Sequence, residues 1–239
     1  MISFENVNKS FGAKKAVDNL NLTIEDGKVF GFIGPNGAGK TTTIKMLTGI
    51  LTPDSGMIKL NGLDIVKDPI EAKRTFGFVP DAFDMYERLT GLEYLRFMGD
   101  VYSVDAARRK EHIEKYLGLF GLEDAANQQI RAYSHGMKQK LAITGALMHE
   151  PSIWILDEPM VGLDPQSVFL LKEEMRGHAD SGRTVFFSTH VLDVAERLCD
   201  EIGIIKHGKL IANGTLEELR GGADSTLEEL FLELVEKGE

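Results

Sequence analysis

The chain holds one cysteine, Cys199, among 239 residues. A lone thiol forms no internal disulfide, so the sequence fits a reducing compartment, by default the cytosol, with Cys199 as a buried structural thiol. Long apolar runs are missing as well. No window approaches the ~18 apolar residues of a membrane helix, and MISFENVNKSFG at the start lacks the basic stretch and apolar run of a secretion signal. Any work at a membrane therefore needs another protein to span it. Positive charge is also scarce: 27 Lys and Arg stand against 37 Asp and Glu, a formal net charge of −10. That balance argues against a broad nucleic-acid-binding face and requires anionic partners to be met locally. Internal repeats and low-complexity segments are absent.

What is present is an ordinary globular composition, 43% apolar and 27% charged, on a length that suits one large α/β domain or a core with a small insertion. Short apolar or alternating segments bounded by Gly, Asn, Asp or Pro predict strands at 2–7, 20–24, 29–33, 57–60 and 76–79. Runs at 153–156, 184–188 and 202–205 are nearly continuous in β-branched and apolar residues, as strands buried on both faces of a parallel sheet should be. The last pairs with 210–212 across the turn Lys206-His207-Gly208-Lys209. Helical spacing marks 40–47, 91–102, 106–117, 137–148, 168–175 and 191–198. The alternation implies an open α/β sheet. It breaks between about 83 and 149, where three helices and no strand are predicted, so a helical subdomain is inserted there. Near the end, Leu227, Leu230, Phe231, Leu234 and Val235 recur at helical spacing with Glu228, Glu229, Glu233 and Glu236 opposite. A terminal helix docked on its own domain is predicted, with a dimer contact as the other reading.

The segment GFIGPNGAGKTTTIKMLTG contains Gly34-x-x-x-x-Gly39-Lys40-Thr41, a phosphate loop placed between a predicted strand and a predicted helix. Its glycines let backbone N–H groups point inward at phosphate oxygens, and the helix N-terminus adds a positive dipole end. Lys40 can reach the β- and γ-phosphates, and the Thr41 hydroxyl can ligate Mg²⁺. Hydrolysis needs more: a carboxylate for the metal and a group that orients water. In SIWILDEP a buried strand ends at Asp157 and Glu158, and strand alternation would send the two carboxylates to opposite faces. Asp157 then suits the Mg²⁺ side and Glu158 the attacking water. The run 184–188 ends in Thr189-His190, which puts an imidazole at the same carboxyl edge of the sheet, where ligands of open α/β sheets gather.

Taken in order, GPNGAGKTT, YSHGMKQK at 133–140, WILDEP, VGLDP at 161–165 and STH at 188–190 resemble the nucleotide-binding subunit of ATP-binding-cassette (ABC) transporters, over about 2–219. The resemblance implies an α/β fold: a P-loop NTPase core of ABC type with an N-terminal antiparallel β subdomain and the inserted helical subdomain. The ABC ATPase domain would be 1–219, and 220–239 an amphipathic helical tail. ATP and Mg²⁺ are the implied cofactors. Nucleotide contacts are implied for Phe11, against adenine, and for Val17, Asn36, Gly37, Ala38, Gly39, Lys40, Thr41 and Thr42. Ser134 and Gly136 of the signature segment would reach the γ-phosphate bound by a second subunit across a head-to-tail dimer, with Asp164 lining that interface. Glu158, His190 and Lys40 would be catalytic; Thr41, Asp157 and Asp81 would serve the metal.

Two departures bear on these assignments. The family's LSGGQ stands here as Tyr133-Ser134-His135-Gly136-Met137. A left-handed backbone at His135 would cost about 1 kcal/mol, whereas a helix start there would cost nothing. Asp81 occupies the place of the glutamine in the family's Q-loop. YERLTGLEYL, the SHGM form of the signature and the LEELFLEL tail are most similar to bacterial ATPases that pair with separate ABC-2-type membrane subunits, often exporters. The implied partners are a second nucleotide-binding subunit and a separate transmembrane permease, without nucleic acid. The implied location is the cytoplasmic face of the cell membrane, reached through the permease, whose coupling segment would be received by part of the aromatic- and methionine-rich stretch 83–102. Two alternatives remain: a soluble ABC ATPase acting in translation or DNA maintenance, disfavoured by the acidic charge and the single uninterrupted cassette, and a sensing module without turnover, disfavoured by Glu158 and His190 together.

Overall fold

The computed structural model of the chain describes residues 1–82, 84–221 and 226–236. Phe83, at the edge of the predicted insertion, lies outside the described residues, as do parts of the tail at 222–225 and 237–239 and the side chains of Val235 and Glu236. In chain order the first elements are β1 (Ile2–Phe11), β2 (Lys14–Ile24), β3 (Val29–Ile33), α1 (Lys40–Leu47), β4 (Ser55–Leu60), β5 (Leu63–Asp64), α2 (Pro69–Arg74) and β6 (Phe76–Val79). Then come α3 (Gly91–Val101), α4 (Ala106–Phe120) and α5 (His135–Leu147), the inserted helical subdomain. The chain returns through β7 (Ile153–Asp157), α6 (Pro165–Asp180), β8 (Thr184–Thr189), α7 (Leu192–Leu198), β9 (Glu201–Lys206), β10 (Lys209–Gly214), α8 (Leu216–Arg220) and α9 (Leu227–Glu236).

Two sheets result. An antiparallel sheet runs β2-β1-β4-β5, and a six-stranded sheet runs β10-β9-β3-β8-β7-β6 with every neighbour parallel except the β9–β10 hairpin. That hairpin turns at His207 and Gly208, with φ of 49° and 81°, the paired positive angles that suit a two-residue turn between twisted strands. Strand β3 shows why its sequence is apolar throughout. Phe30 and Phe32 face the antiparallel sheet and α1, where Phe30 stacks on Phe186 at 5.7 Å, while Val29 and Ile33 face the helices on the other side. Each such fully buried side chain stabilises the fold by roughly 1.5–3 kcal/mol.

Helix ends differ from the apolar periodicity where polar caps decide them. Helix α5 begins at His135, ahead of the predicted 137, because Ser134 Oγ accepts the Met137 N–H; α6 spans Pro165–Asp180 rather than 168–175, because Asp164 caps it and Pro165 opens it. The short elements β5, α2 and α8 carry too few residues for a period and escape prediction. Cys199, expected to be buried, is part-buried as a residue, while its sulfur packs inward against Gly31 of β3, so closely that a Cβ there would sit 2.5 Å away, and burial of the thiol pushes its pKa up.

Candidate nucleotide site

The loop between β3 and α1 is braced from two sides. A Cβ on Gly34 would lie 2.4 Å from the Ile205 carbonyl oxygen, and one on Gly39, whose φ is 117°, would lie 2.4 Å from that of Ala16. These two glycines thus serve close backbone approach as much as inward-pointing N–H groups. The Ala38 N–H donates to the Pro35 carbonyl and the Ala38 carbonyl accepts from Gly208 N–H, so this residue closes the loop on the β9–β10 turn. Its side chain is buried in the core, so it scaffolds the loop and does not line the cavity.

A cavity of about 290 Å³ opens at the loop, lined by Phe11, Lys14, Ala16, Pro35, Asn36, Gly37, Gly39, Lys40, Thr41, Thr42, Asp81 and Glu158. Phe11 stands at its rim, 53% exposed, with the Lys9 ammonium 5.9 Å from its ring centroid. Val17 is different. It is fully buried in the core beneath the antiparallel sheet, and Ala16, one residue earlier on β2, lines the cavity in its place. Neighbouring strand residues face opposite ways, so a one-residue slip in the assignment exchanges wall for core.

Lys40 is buried, its Nζ donating to the Gly34 carbonyl at 2.7 Å and lying 3.7 Å from Glu158 Oε1. The last residue of β7, Asp157, is 2% exposed. Burial raises its pKa above the ordinary carboxylate value, hydrogen bonds from Ser188 and Thr41 oppose that shift, and the Asp81 and Glu158 carboxylates add to it. Ser188 Oγ donates to Asp157 Oδ1 at 2.5 Å and accepts the Glu158 N–H at 3.1 Å, so one hydroxyl ties both carboxylate residues to β8. Glu158 itself has φ of +49°. A left-handed turn directly after the strand, and not strand alternation, therefore separates the two side chains. The turn costs a non-glycine residue about 1 kcal/mol or more and aims Glu158 at His190, whose Nδ1 lies 2.9 Å from Glu158 Oε2.

Ser134 and Gly136 do not line this cavity. Ser134 caps α5, and a Cβ on Gly136 would lie 2.8 Å from the Gly162 carbonyl oxygen. His135 starts the helix without a left-handed φ, so it carries no strain, and its ring lies across Gly162. Further along the same helix Gln139 donates to the Pro159 carbonyl and Lys140 lies 3.0 Å from Asp164. Hydrogen bonds from Ser167, then Lys140, hold Asp164 well below the usual carboxylate range. Sequence reasoning missed roles for Ser188, Lys14 and Ala16; for Ser188 the available signal was a hydroxyl directly after the apolar run 185–187 and two residues before His190.

A family model described as ABC transporter matches residues 17–161. The chain belongs to the ABC transporter family. It is 39% identical over 230 residues to a linearmycin resistance ATP-binding protein of Bacillus subtilis, a match covering 95% of this chain and 74% of that one. It is 38% identical to a daunorubicin/doxorubicin resistance ATP-binding protein of Streptomyces peucetius, covering 94% and 68%. Against a probable multidrug ABC transporter ATP-binding protein of Escherichia coli, the matched region spans 42% of the longer protein. A solved ATP-binding subunit of an ABC transporter superposes with a TM-score of 0.94 at 34% identity, covering 98% of this chain and 99% of that one. An ATP-binding cassette solved as a dimer in a post-hydrolysis state with ADP and Pi gives a TM-score of 0.81 at 27% identity, covering 90% of this chain and 99% of that one. The chain is accordingly an ABC-type ATPase cassette.

Proposed function

We propose that this ABC cassette is the ATP-hydrolysing subunit of an exporter, closing head-to-tail on ATP with a second cassette and driving a separate membrane permease. The observation that carries the hydrolytic part is the Glu158 carboxylate, which faces the phosphate-loop cavity within 2.9 Å of His190 and 3.7 Å of Lys40. In this reading Phe11 stacks on the base, Ala16 and Lys14 flank it, and the N–H groups around Asn36, Gly37 and Gly39 to Thr42 receive the phosphates. Lys40 leaves the Gly34 carbonyl for the β- and γ-phosphates. Glu158 takes a proton from the attacking water, and His190, donating from Nδ1, holds that carboxylate in place. Ser134 and Gly136 belong to the partner's nucleotide, consistent with their place outside this chain's own cavity.

The residues present fit Mg²⁺. Asp157 is a buried carboxylate whose only hydrogen-bond partners among the described residues are hydroxyls, and with Thr41 it offers the hard oxygens this ion takes alongside phosphate. Asp81 faces the same cavity and is the third oxygen donor. When bound, the ion would neutralise charge on the β- and γ-phosphate oxygens. Among the described residues no helix is long and apolar enough to cross a membrane, which leaves the crossing to the permease in this reading. The resistance functions of the relatives support export, and the soluble alternative draws no support from them.

Mixing two inactive variants tests the shared site. Ser134→Ala and Lys40→Ala protomers together form one composite site spoiled twice and one left intact, so activity should return above either variant and below the parent. No activity at any ratio, with two-tag copurification showing mixed dimers, contradicts the head-to-tail arrangement.

A further inference from the structure

The helix that carries His190 into the site is poorly equipped to hold itself. Helix α7 has seven residues, and Val191 before it supplies no side-chain cap. A helix this short depends on what packs against it. On one side Val194 and Leu198 enter the core shared with Leu171 and Met175 of α6. On the other side the fully buried Ala195 meets α9: Leu227 and Leu230 join Ala195, Ile33, Ile202 and Ile204 in one apolar cluster. Arg220, the last residue of α8, adds an ion pair to Glu196 of α7. Two helices that the nucleotide chemistry does not use thus grip the element whose first turn follows His190.

We propose that α8 and α9 form a strap over α7, and that Leu227, Leu230 and Arg220 are positioning residues for the contact between His190 and Glu158. The proposal rests on the reading of that pair as hydrolytic. With the strap seated, α7 has one position and the 2.9 Å contact between Nδ1 and Oε2 is held. Without it, Ala195 keeps its cover from Gly31, Ile33, Ile202 and Ile204 of the sheet but loses Leu227 and Leu230, so nothing clamps α7 from above and His190 leaves Glu158 for part of the time. The phosphate loop keeps its own braces at Ile205, Ala16 and Gly208, which the strap does not supply. Turnover therefore depends on the strap, and nucleotide affinity does not.

The test compares full-length Leu227→Ala/Leu230→Ala, and separately Arg220→Ala, with the parent. Steady-state ATP hydrolysis gives kcat and KM. Amide exchange is followed in α7, where Ala195 and Cys199 donate to the carbonyls of Val191 and Ala195. The double variant should lose about ten-fold in kcat and Arg220→Ala about three-fold, with KM within about two-fold. Exchange should quicken at Ala195 and Cys199 and stay parental in α1. Arg220→Lys should recover the loss. In a His190→Ala background the strap substitutions should change the residual rate by less than about two-fold. Parental kcat in both strap variants overturns the proposal, as does the same loss with His190 already removed, which would mark a general structural effect. A His190→Ala chain as active as the parent removes the reading of the pair, an outcome separate from failure of the strap alone. Arg220→Ala, which deletes only a partly exposed ion pair, keeps the measurement readable should the double variant not fold.

Discussion

Ser188→Ala removes a single oxygen from the interior, yet both carboxylate residues hang on it. The side chain is fully buried in β8, so alanine keeps the strand and its packing. Two bonds go: the 2.5 Å donation to Asp157 and the 3.1 Å acceptance from the Glu158 N–H. The first is made to a charged group, worth about 1.5–3 kcal/mol, and the second leaves a part-buried N–H without an acceptor at about 1 kcal/mol. Asp157 retains its hydrogen bond from Thr41 and can take up a proton, which places the loss in folding stability at the lower end, about 2.5 kcal/mol. The same change frees the backbone turn that aims Glu158, so kcat for ATP hydrolysis should fall about 10–100-fold, or ~1.4–2.7 kcal/mol of barrier. Urea unfolding of the nucleotide-free chain and steady-state phosphate release read the two quantities. A parental midpoint together with parental kcat would refute the bridge.

Asp157→Asn should trade activity for stability. Because burial raises the Asp157 pKa, the folded chain holds more protons than the unfolded one between the ordinary value and the raised one, so stability falls as pH rises through that window. The variant should lose this slope and gain a higher urea midpoint at neutral pH, while hydrolysing ATP more slowly; a midpoint that keeps the parental pH slope would clear Asp157 of it. Phe11→Ala should weaken ATP binding by about 1–3 kcal/mol, the worth of one base-aromatic stack, and Phe11→Trp should not. Calorimetric affinities equal for all three would remove the ring from the adenine. Lys40→Ala should lose nucleotide affinity outright in the same titration, and retained affinity would undo the phosphate-loop assignment.

Much of this was readable from residue types, and the limits have physical reasons. The runs 153–156, 184–188 and 202–205 had to be apolar throughout because a parallel sheet covered on both faces leaves no polar side, and their order along the chain placed Asp157, Glu158 and His190 at one edge. Glu158 was legible as a residue but not as a turn: its left-handed φ is imposed by the Ser188 bond and the Pro159 loop tied to Gln139, contacts distant in sequence. Val17 and Ala16 differ by one step on β2, and only the register against β1 and the approach of Gly39 decide which faces the cavity. The amphipathic tail predicted a docked helix. Where it docks, on α7 behind His190, depends on Ala195, whose small apolar side chain carries no pattern of its own.

The central claim is that Glu158 activates water in a site completed by a second cassette, and Glu158→Gln addresses it most directly. Sedimentation with and without ATP and Mg²⁺, beside steady-state hydrolysis, should show retained nucleotide binding, a stable ATP-dependent dimer, and turnover slowed by about 10²–10⁴, or ~2.7–5.4 kcal/mol. Turnover within a few-fold of the parent, or a chain that stays monomeric with ATP bound, would contradict the account.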